Sequence, residues 1–367
     1  MDPYYLGSRR HLKTSSLKTS IGKCAKLPSE AGDSESNTMI LAGDVGGTKT
    51  VVALFEIESG GLRLVSDATF PSTAHASFEE ILTRFLEDHS RPHIETACFG
   101  VAGPVVGGRV TATNLPWTVD EEALARTTGA GCTKLLNDLE AMAYGMLGLA
   151  DDDRAILNRG AKTAPAANAA VISAGTGLGQ ALLVWDGKRH VPIASEGGHV
   201  DFAPRTEQEI DLLGFLRQEF GDHVSYERLL SGPGLHNIYR FLRSAGHEVE
   251  PGWLAERMGT EDPSVVIGEV GLAGKDPLCA ESLDLFASIY GAQAGNLVLT
   301  AMALGGLFIG GGIAPKLLPV LQRGGFMRAF TDKGRFSALL ESVEVSVALN
   351  PRLPLLGAAG YAAQLRP

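Results

Sequence analysis

Two stretches of this chain share one pattern of apolar and polar positions. Ile40-Leu41-Ala42 enters Gly43-Asp44-Val45-Gly46-Gly47-Thr48-Lys49-Thr50, and Val51-Val52-Ala53-Leu54-Phe55 follows directly. Later, Ala170-Val171-Ile172 enters Ser173-Ala174-Gly175-Thr176-Gly177-Leu178-Gly179-Gln180, then Ala181-Leu182-Leu183-Val184. Each copy reads as a strand, a Gly/Thr turn and a second strand. Around the first, the pattern predicts a hairpin over 40–57, a strand over 62–69, a helix over 77–89 and a strand from Thr96 to Val101. A helix over 119–128, the strand Lys134 to Leu136 and a helix over 139–148, opened by Asn137-Asp138, follow. Between Ala150 and Ala169 the chain turns polar and small, with Asp151-Asp152-Asp153 and an Ala/Pro-rich run, which reads as a domain transition.

Past the second hairpin the reading is more helical. Thr206-x-x-Glu209 has the spacing of a capping box. The uncharged stretch Gly291 to Pro315 carries Gln293, Asn296, Thr300 and clustered glycines, which break a membrane-spanning helix. It parses better as a buried helix, Leu283 to Leu304, with Phe286, Ile289, Tyr290, Leu297 and Met302 on one side. A short strand, Leu307 to Ile309, then enters the turn Gly310-Gly311-Gly312. No membrane segment is read.

Glycine lets a backbone turn sharply and approach a ligand, and bare N–H groups beside a Thr hydroxyl suit phosphate oxygens. Two facing copies would clamp a polyphosphate, which points to ATP chemistry. A P-loop is excluded, because counting from Gly43 its second required glycine falls on Thr48 and a strand-like run follows. A dinucleotide fingerprint needs its glycines to open a helix, and neither copy does so. Ordinary hairpin turns also use Gly-Gly. Gly-Thr or Thr-Gly in both copies, with Asp44 inside the first, favours the phosphate reading.

Composition narrows the picture. A length of 367 residues predicts about two domains, and 44% hydrophobic with 20% charged residues is globular. A net charge of −10 argues against a nucleic-acid surface. Cys24, Cys98, Cys132 and Cys279 lie far apart without Cys-x-x-Cys spacing, so no structural zinc site is indicated and reducing cytoplasm is the expected compartment. Residues 1–38 contribute +2 against −12 from residues 39–367. Rich in Ser and Thr and without periodicity, they read as a disordered leader or extension, with Met39 directly before the first core strand. Two related α/β halves, each opening on a hairpin, predict a bilobed protein with its ligand in the cleft.

Six motifs then occur in order: Gly43-Asp44-Val45-Gly46-Gly47-Thr48, Asn137-Asp138, Ala174 to Gly179, Glu196-Gly197-Gly198-His199-Val200-Asp201-Phe202, Glu227 to Gly234, and Gly310-Gly311-Gly312. Together they resemble the bacterial glucokinase family, within the hexokinase/actin-like ATPase superfamily, over essentially all of 39–367. The resemblance implies a two-lobed actin-like ATPase (ribonuclease H-like) fold, with a small α/β domain of 39–148 plus 349–367 and a large one of 149–348. It implies ATP-dependent phosphorylation of glucose at its 6-hydroxyl, with Asp138 as general base and Asn137 beside it on the sugar. By position alone Asp138 reads equally well as the N-cap of the following helix. Glu196, His199 and Glu227 resemble further sugar ligands, a set of acceptors and an imidazole that suits vicinal hydroxyls. Without the resemblance they read as a loop acid, a loop or metal-binding histidine, and an exposed helix charge. Asn114 is a candidate hydroxyl contact, or a turn former in its Pro-Trp loop.

Asp44 stands where a triphosphate would repel it unless a cation intervened, and is assigned to Mg²⁺, through water. Gly46, Gly47, Thr48, Gly175, Thr176 and Gly177 would face the phosphates, and Gly310 and Gly311 would allow close approach near the nucleotide. Related kinases with zinc carry a Cys-rich run after Glu-Gly-x-His; His199 to Phe220 holds no cysteine, so zinc is not expected. The partners expected are small molecules, glucose and ATP, with a homodimer left open. The rivals are a kinase for another hexose or amino sugar, a sugar-sensing regulator on the same fold, and a chaperone-like ATPase.

Overall fold

The computed structural model describes residues 39–58, 61–112, 115–160, 166–246 and 250–366. The leader expected over 1–38 and the candidate Asn114 lie outside the described residues. Thirteen strands and thirteen helices are described below.

The first sheet is built from β1 (Met39–Val45), β2 (Lys49–Glu58), β3 (Gly61–Pro71), β4 (Ile94–Val101) and β7 (Cys132–Asn137), in the order β3-β2-β1-β4-β7. A two-stranded ribbon, β5 (Arg109–Thr111) with β6 (Thr118–Asp120), is inserted between β4 and β7. The second sheet holds β8 (Arg154–Asn158), β9 (Ala169–Ala174), β10 (Leu178–Trp185), β11 (His190–Ser195), β12 (Gly306–Gly310) and β13 (Val345–Ala348), in the order β11-β10-β9-β12-β13-β8. In both sheets an antiparallel hairpin sits beside parallel strands: β1 pairs β2 antiparallel and β4 parallel, and β9 pairs β10 antiparallel and β12 parallel. The repeated sequence pattern is therefore a repeated topology, as expected of the actin-like ATPase fold.

The helices are α1 (Phe78–Asp88), α2 (Glu121–Thr128), α3 (Asp138–Leu147), α4 (Glu207–Phe220), α5 (Gly232–Ser244), α6 (Gly252–Thr260), α7 (Pro263–Leu272) and α8 (Pro277–Ala301). Four short ones follow, α9 (Ile313–Lys316), α10 (Leu318–Leu321), α11 (Gly325–Thr331) and α12 (Ser337–Glu341), and α13 (Leu353–Gln364) closes the chain. The α1 amphipathic stripe buries Phe78, Ile81, Leu82 and Phe85 against the first sheet. On the opposite face Ile40, Ala42, Phe55 and Leu136 meet Ala141 of α3 and Leu355, Ala358 and Ala362 of α13. The other side of α3 supplies Ala143 and Met146 to a cluster with Val171 and Leu183 of the second sheet. Thus α3 lies between the sheets, with α13 crossing it closely. A Cβ on Gly357 would overlap the Ala141 carbonyl oxygen, and one on Gly145 would overlap that of Leu353.

Two local readings change. Thr206 does cap α4, accepting the Glu209 N–H at 3.2 Å, but the Glu209 carboxylate turns to the Arg205 N–H at 2.7 Å and the Arg205 guanidinium, so the box is not reciprocal. The long apolar helix runs over 277–301, starting from Asp276, which accepts the Cys279 N–H. Met302 adopts a left-handed conformation at its C-terminus and is half exposed, off the buried side where periodicity placed it.

Candidate active site

The site lies where the ends of both sheets meet the start of α3. β1 ends in Asp44 and Val45, and the turn to β2 closes with the Gly46 N–H donating to the Lys49 carbonyl at 3.0 Å. Ser72, which is fully buried, pins that turn. Its Oγ donates to the Gly46 carbonyl at 2.7 Å, and its N–H donates to the Thr48 carbonyl at 3.0 Å. No local signal in the sequence marks Ser72, because its role depends on the pairing of β2 with β3.

Asp44 is largely enclosed, and among the described residues no hydrogen bond to its carboxylate is found. Burial, then the like charge of Asp138, raises its pKa from 3.8 to about 6, with Lys49 opposing. Burial likewise pushes Asp138 above the ordinary carboxylate range, while N–H donation from Leu139 and from its own backbone pulls it down and Glu196 pushes it up. Asp44, Asp138 and Glu196, which come from three separated segments, therefore share one electrostatic neighbourhood.

The cap of α3 is Asn137, not Asp138. Asn137 Oδ1 accepts the Glu140 N–H at 2.8 Å, and Glu140 returns the bond by accepting the Asn137 N–H at 3.0 Å. This leaves the Asn137 amide nitrogen free among the described residues, and Asp138 in the first helical position, its Oδ1 taking the Leu139 N–H at 3.0 Å.

On the second sheet the Gly175 N–H donates to the Gly177 carbonyl at 2.9 Å, closing the tight turn. Glu196 precedes and His199 ends a 3-10 turn, Gly197–His199, seated on this hairpin, and both residues are exposed. Gly198 fits only as glycine, since a Cβ would overlap the Leu178 carbonyl oxygen. The segment Val200 to Phe202 is bonded to Val224 to Tyr226, which brings Glu227 alongside. Glu227 is not a free surface charge: its Oε2 accepts the Leu178 N–H at 2.9 Å. Gly310 pairs with Ser173, and Gly311 has φ +82° with a would-be Cβ overlapping the Ala174 carbonyl oxygen, so the third glycine turn abuts the second hairpin. His199, Thr48 and Thr176 are exposed at the rim.

Beside these turns lies an apolar cavity of about 380 Å³, walled by Leu235 of α5, Ser264, Val265 and Leu272 of α7, and Ile313 and Lys316 of α9. Its wall residue Ser264 faces Gly232, whose N–H donates to the Gly175 carbonyl at 2.9 Å. Sequence reading passed over these residues, because three separate helices make the cavity. Among the described residues no group of three or more His, Cys, Asp or Glu is arranged to hold a metal, and no helix is long and apolar enough to cross a membrane.

The glucokinase family profile matches residues 41–365. This chain belongs to the glucokinase family. It is 41% identical to the glucokinase of Nostoc punctiforme over 341 residues, which covers 89% of this chain and all of the relative. It is 36% identical to that of Yersinia pestis over 327 residues, covering 89% and 97%. Among solved structures, the glucokinase from an Antarctic psychrotroph superposes with a TM-score of 0.78 at 31% identity, covering 89% of this chain and 99% of that one. A ROK family transcriptional regulator shares the fold at 18% identity, with a TM-score of 0.64 and 78% of its length covered.

Proposed function

We propose that this chain transfers the γ-phosphoryl group of ATP to the 6-hydroxyl of D-glucose. The observation that carries the reading is the convergence of Asp138, Asp44 and Glu196 beside two glycine hairpins of a glucokinase-family fold. Asn137 through its amide nitrogen, Glu196, His199 and Glu227 bind the sugar hydroxyls, and Asn114 is retained as a further contact from the sequence alone. The 6-oxygen attacks the γ-phosphorus, the bond to the β-bridging oxygen breaks, and the hydroxyl proton passes to the Asp138 carboxylate. A buried carboxylate with raised proton affinity is a better base than an exposed one, provided it is ionised at the working pH.

Gly46, Gly47, Thr48, Gly175, Thr176 and Gly177 take the phosphates, Gly310 and Gly311 admit the nucleotide, and the apolar cavity takes the adenine ring. Asp44 fits Mg²⁺, which keeps most of its waters and needs only one or two carboxylates. When bound, the ion offsets phosphate charge beside that carboxylate. Residues 39–148 plus 349–367 and residues 149–348 act as two lobes that close on the sugar, so that water, which cannot bridge them, is phosphorylated slowly.

A coupled assay with ATP and a panel of hexoses and amino sugars tests this. Glucose is expected to give the highest kcat/KM. Preference for an epimer or an amino sugar would reassign the substrate, and absence of sugar-dependent ADP release would reject the kinase reading.

A further inference from the structure

Glu227, read above as a sugar ligand, lies against the second glycine hairpin. Its Oε2 takes the Leu178 N–H at 2.9 Å, and a Cβ on Gly177 would stand 2.5 Å from the same oxygen. A carboxylate oxygen is thus held against the very turn whose N–H groups suit phosphate. The backbone that carries it is fixed. Ser231 Oγ donates to the Glu227 carbonyl at 2.7 Å, and Asn237 Nδ2 donates to the Arg228 carbonyl at 2.9 Å. Gly232 N–H, bonded to the Gly175 carbonyl, ties the same segment to the hairpin a second time. The adjacent guanidinium, Arg228, lies over the Phe220 ring at 4.3 Å, and no ion pair of Glu227 is found among the described residues. One backbone N–H is therefore the observed partner of its charge.

We propose that Glu227 is a charge gate that keeps ATP weakly bound until a sugar arrives, which rests on the reading of Glu227 as a sugar ligand. Without sugar, the carboxylate holds a hairpin donor and opposes a triphosphate by like-charge repulsion. Sugar hydroxyls that donate to the carboxylate spread its charge and compete for the oxygen that holds Leu178. Binding of either ligand then favours the other by the same factor, since coupling between two sites is reciprocal. A water molecule cannot present the pair of fixed donors that a sugar does, so the gate also suppresses hydrolysis.

Glu227→Gln keeps the shape and an oxygen for the Leu178 N–H but removes the charge. Calorimetric titration of the full chain with the Mg²⁺ complex of a non-hydrolysable ATP analogue, without sugar, is expected to show binding at least about tenfold tighter in the Gln variant. Saturating glucose should tighten the analogue in the parent and barely change it in the variant, while sugar-free ATP hydrolysis rises. Glu227→Asp, which retains the charge, should keep the weak sugar-free binding. A purely structural role has the opposite sign: the Gln variant would bind the analogue more weakly and melt earlier. Unchanged or weaker binding in the Gln variant overturns the gate. Glucose phosphorylation by the parent, measured alongside, separates the two ideas: an active parent with a failed gate test keeps the kinase and loses the gate, and an inactive parent rejects both.

Discussion

Replacing Asp44 with asparagine should stabilise the folded protein at neutral pH while removing its activity. Burial at the end of β1 is the larger cause of the raised pKa and the charge of Asp138 the smaller, and together they lift it from 3.8 to about 6. Below the lower value the carboxyl is neutral in both folded and unfolded chains and costs nothing. Between the two the folded chain holds more proton than the unfolded one, so stability falls as pH rises. Above the upper value the full penalty is in place, and a shift of that size corresponds to roughly 3 kcal/mol. Asparagine never ionises and escapes the penalty. Urea denaturation should find parent and variant alike at about pH 4, with the variant ahead by about 1–3 kcal/mol at about pH 8. Equal stability at the higher pH, or a difference independent of pH, would refute the assignment of strain to Asp44. Turnover of the same variant completes the test, since activity within a few-fold of the parent would remove Asp44 from the metal site.

Asp138→Ala should lower kcat by roughly 10²–10⁴-fold with little change in thermal midpoint, because Asn137 and not Asp138 caps α3; steady-state kinetics and a melting scan check both halves. In the parent, kcat/KM should rise with pH as Asp138, held above the ordinary carboxylate range, loses its proton. A flat pH–rate profile at the acid end would count against the base assignment. Gly357→Ala should cost about 1–3 kcal/mol or more, seen as a midpoint lower by several degrees, because the new methyl meets the Ala141 carbonyl at the α3–α13 crossing. Chelation should abolish activity reversibly, with Mg²⁺ restoring it and the fold unaffected, and stoichiometric zinc by elemental analysis would contradict this.

What the sequence made legible was local. The alternation of Ile40 to Phe55 and the Gly/Thr turn at Gly175 follow from near-neighbour chemistry, and both are hairpins in the structure. The strand expected from Thr96 begins at Ile94, and that expected over Lys134 to Leu136 extends to Cys132 and Asn137, since pairing with neighbours fixes strand ends. Legibility failed where a distant or competing partner decided the outcome. Asn137 and Asp138 are equally good caps by type, and Glu140 settles the choice. Glu209 turns from Thr206 to Arg205 because a guanidinium and an N–H together outbid one N–H. The bond from Leu178 to Glu227 joins residues 49 apart in sequence, and the cavity beside α9 draws on three helices, so neither leaves a spacing to read. The resemblance of six ordered motifs did reach the family, and it named residues that the chain order alone could not bring together.

The return of α13 to the first sheet has a consequence for how the protein is made. Its Leu355, Ala358 and Ala362 cover Ile40 and Ala42, and Ala362 accepts a bond from Thr96 Oγ1 at 2.9 Å. A ribosome releases those partners more than 250 residues apart, since Thr96 and Ala362 are 266 apart in sequence. The strands synthesised first must therefore wait, with α3 covering only part of that apolar face, until α13 has been made. The second sheet, whose strands all precede α13, can assemble in the meantime. A chain stalled before α13 would consequently present a finished second sheet and a sticky first one, a form that chaperones and proteases are suited to recognise.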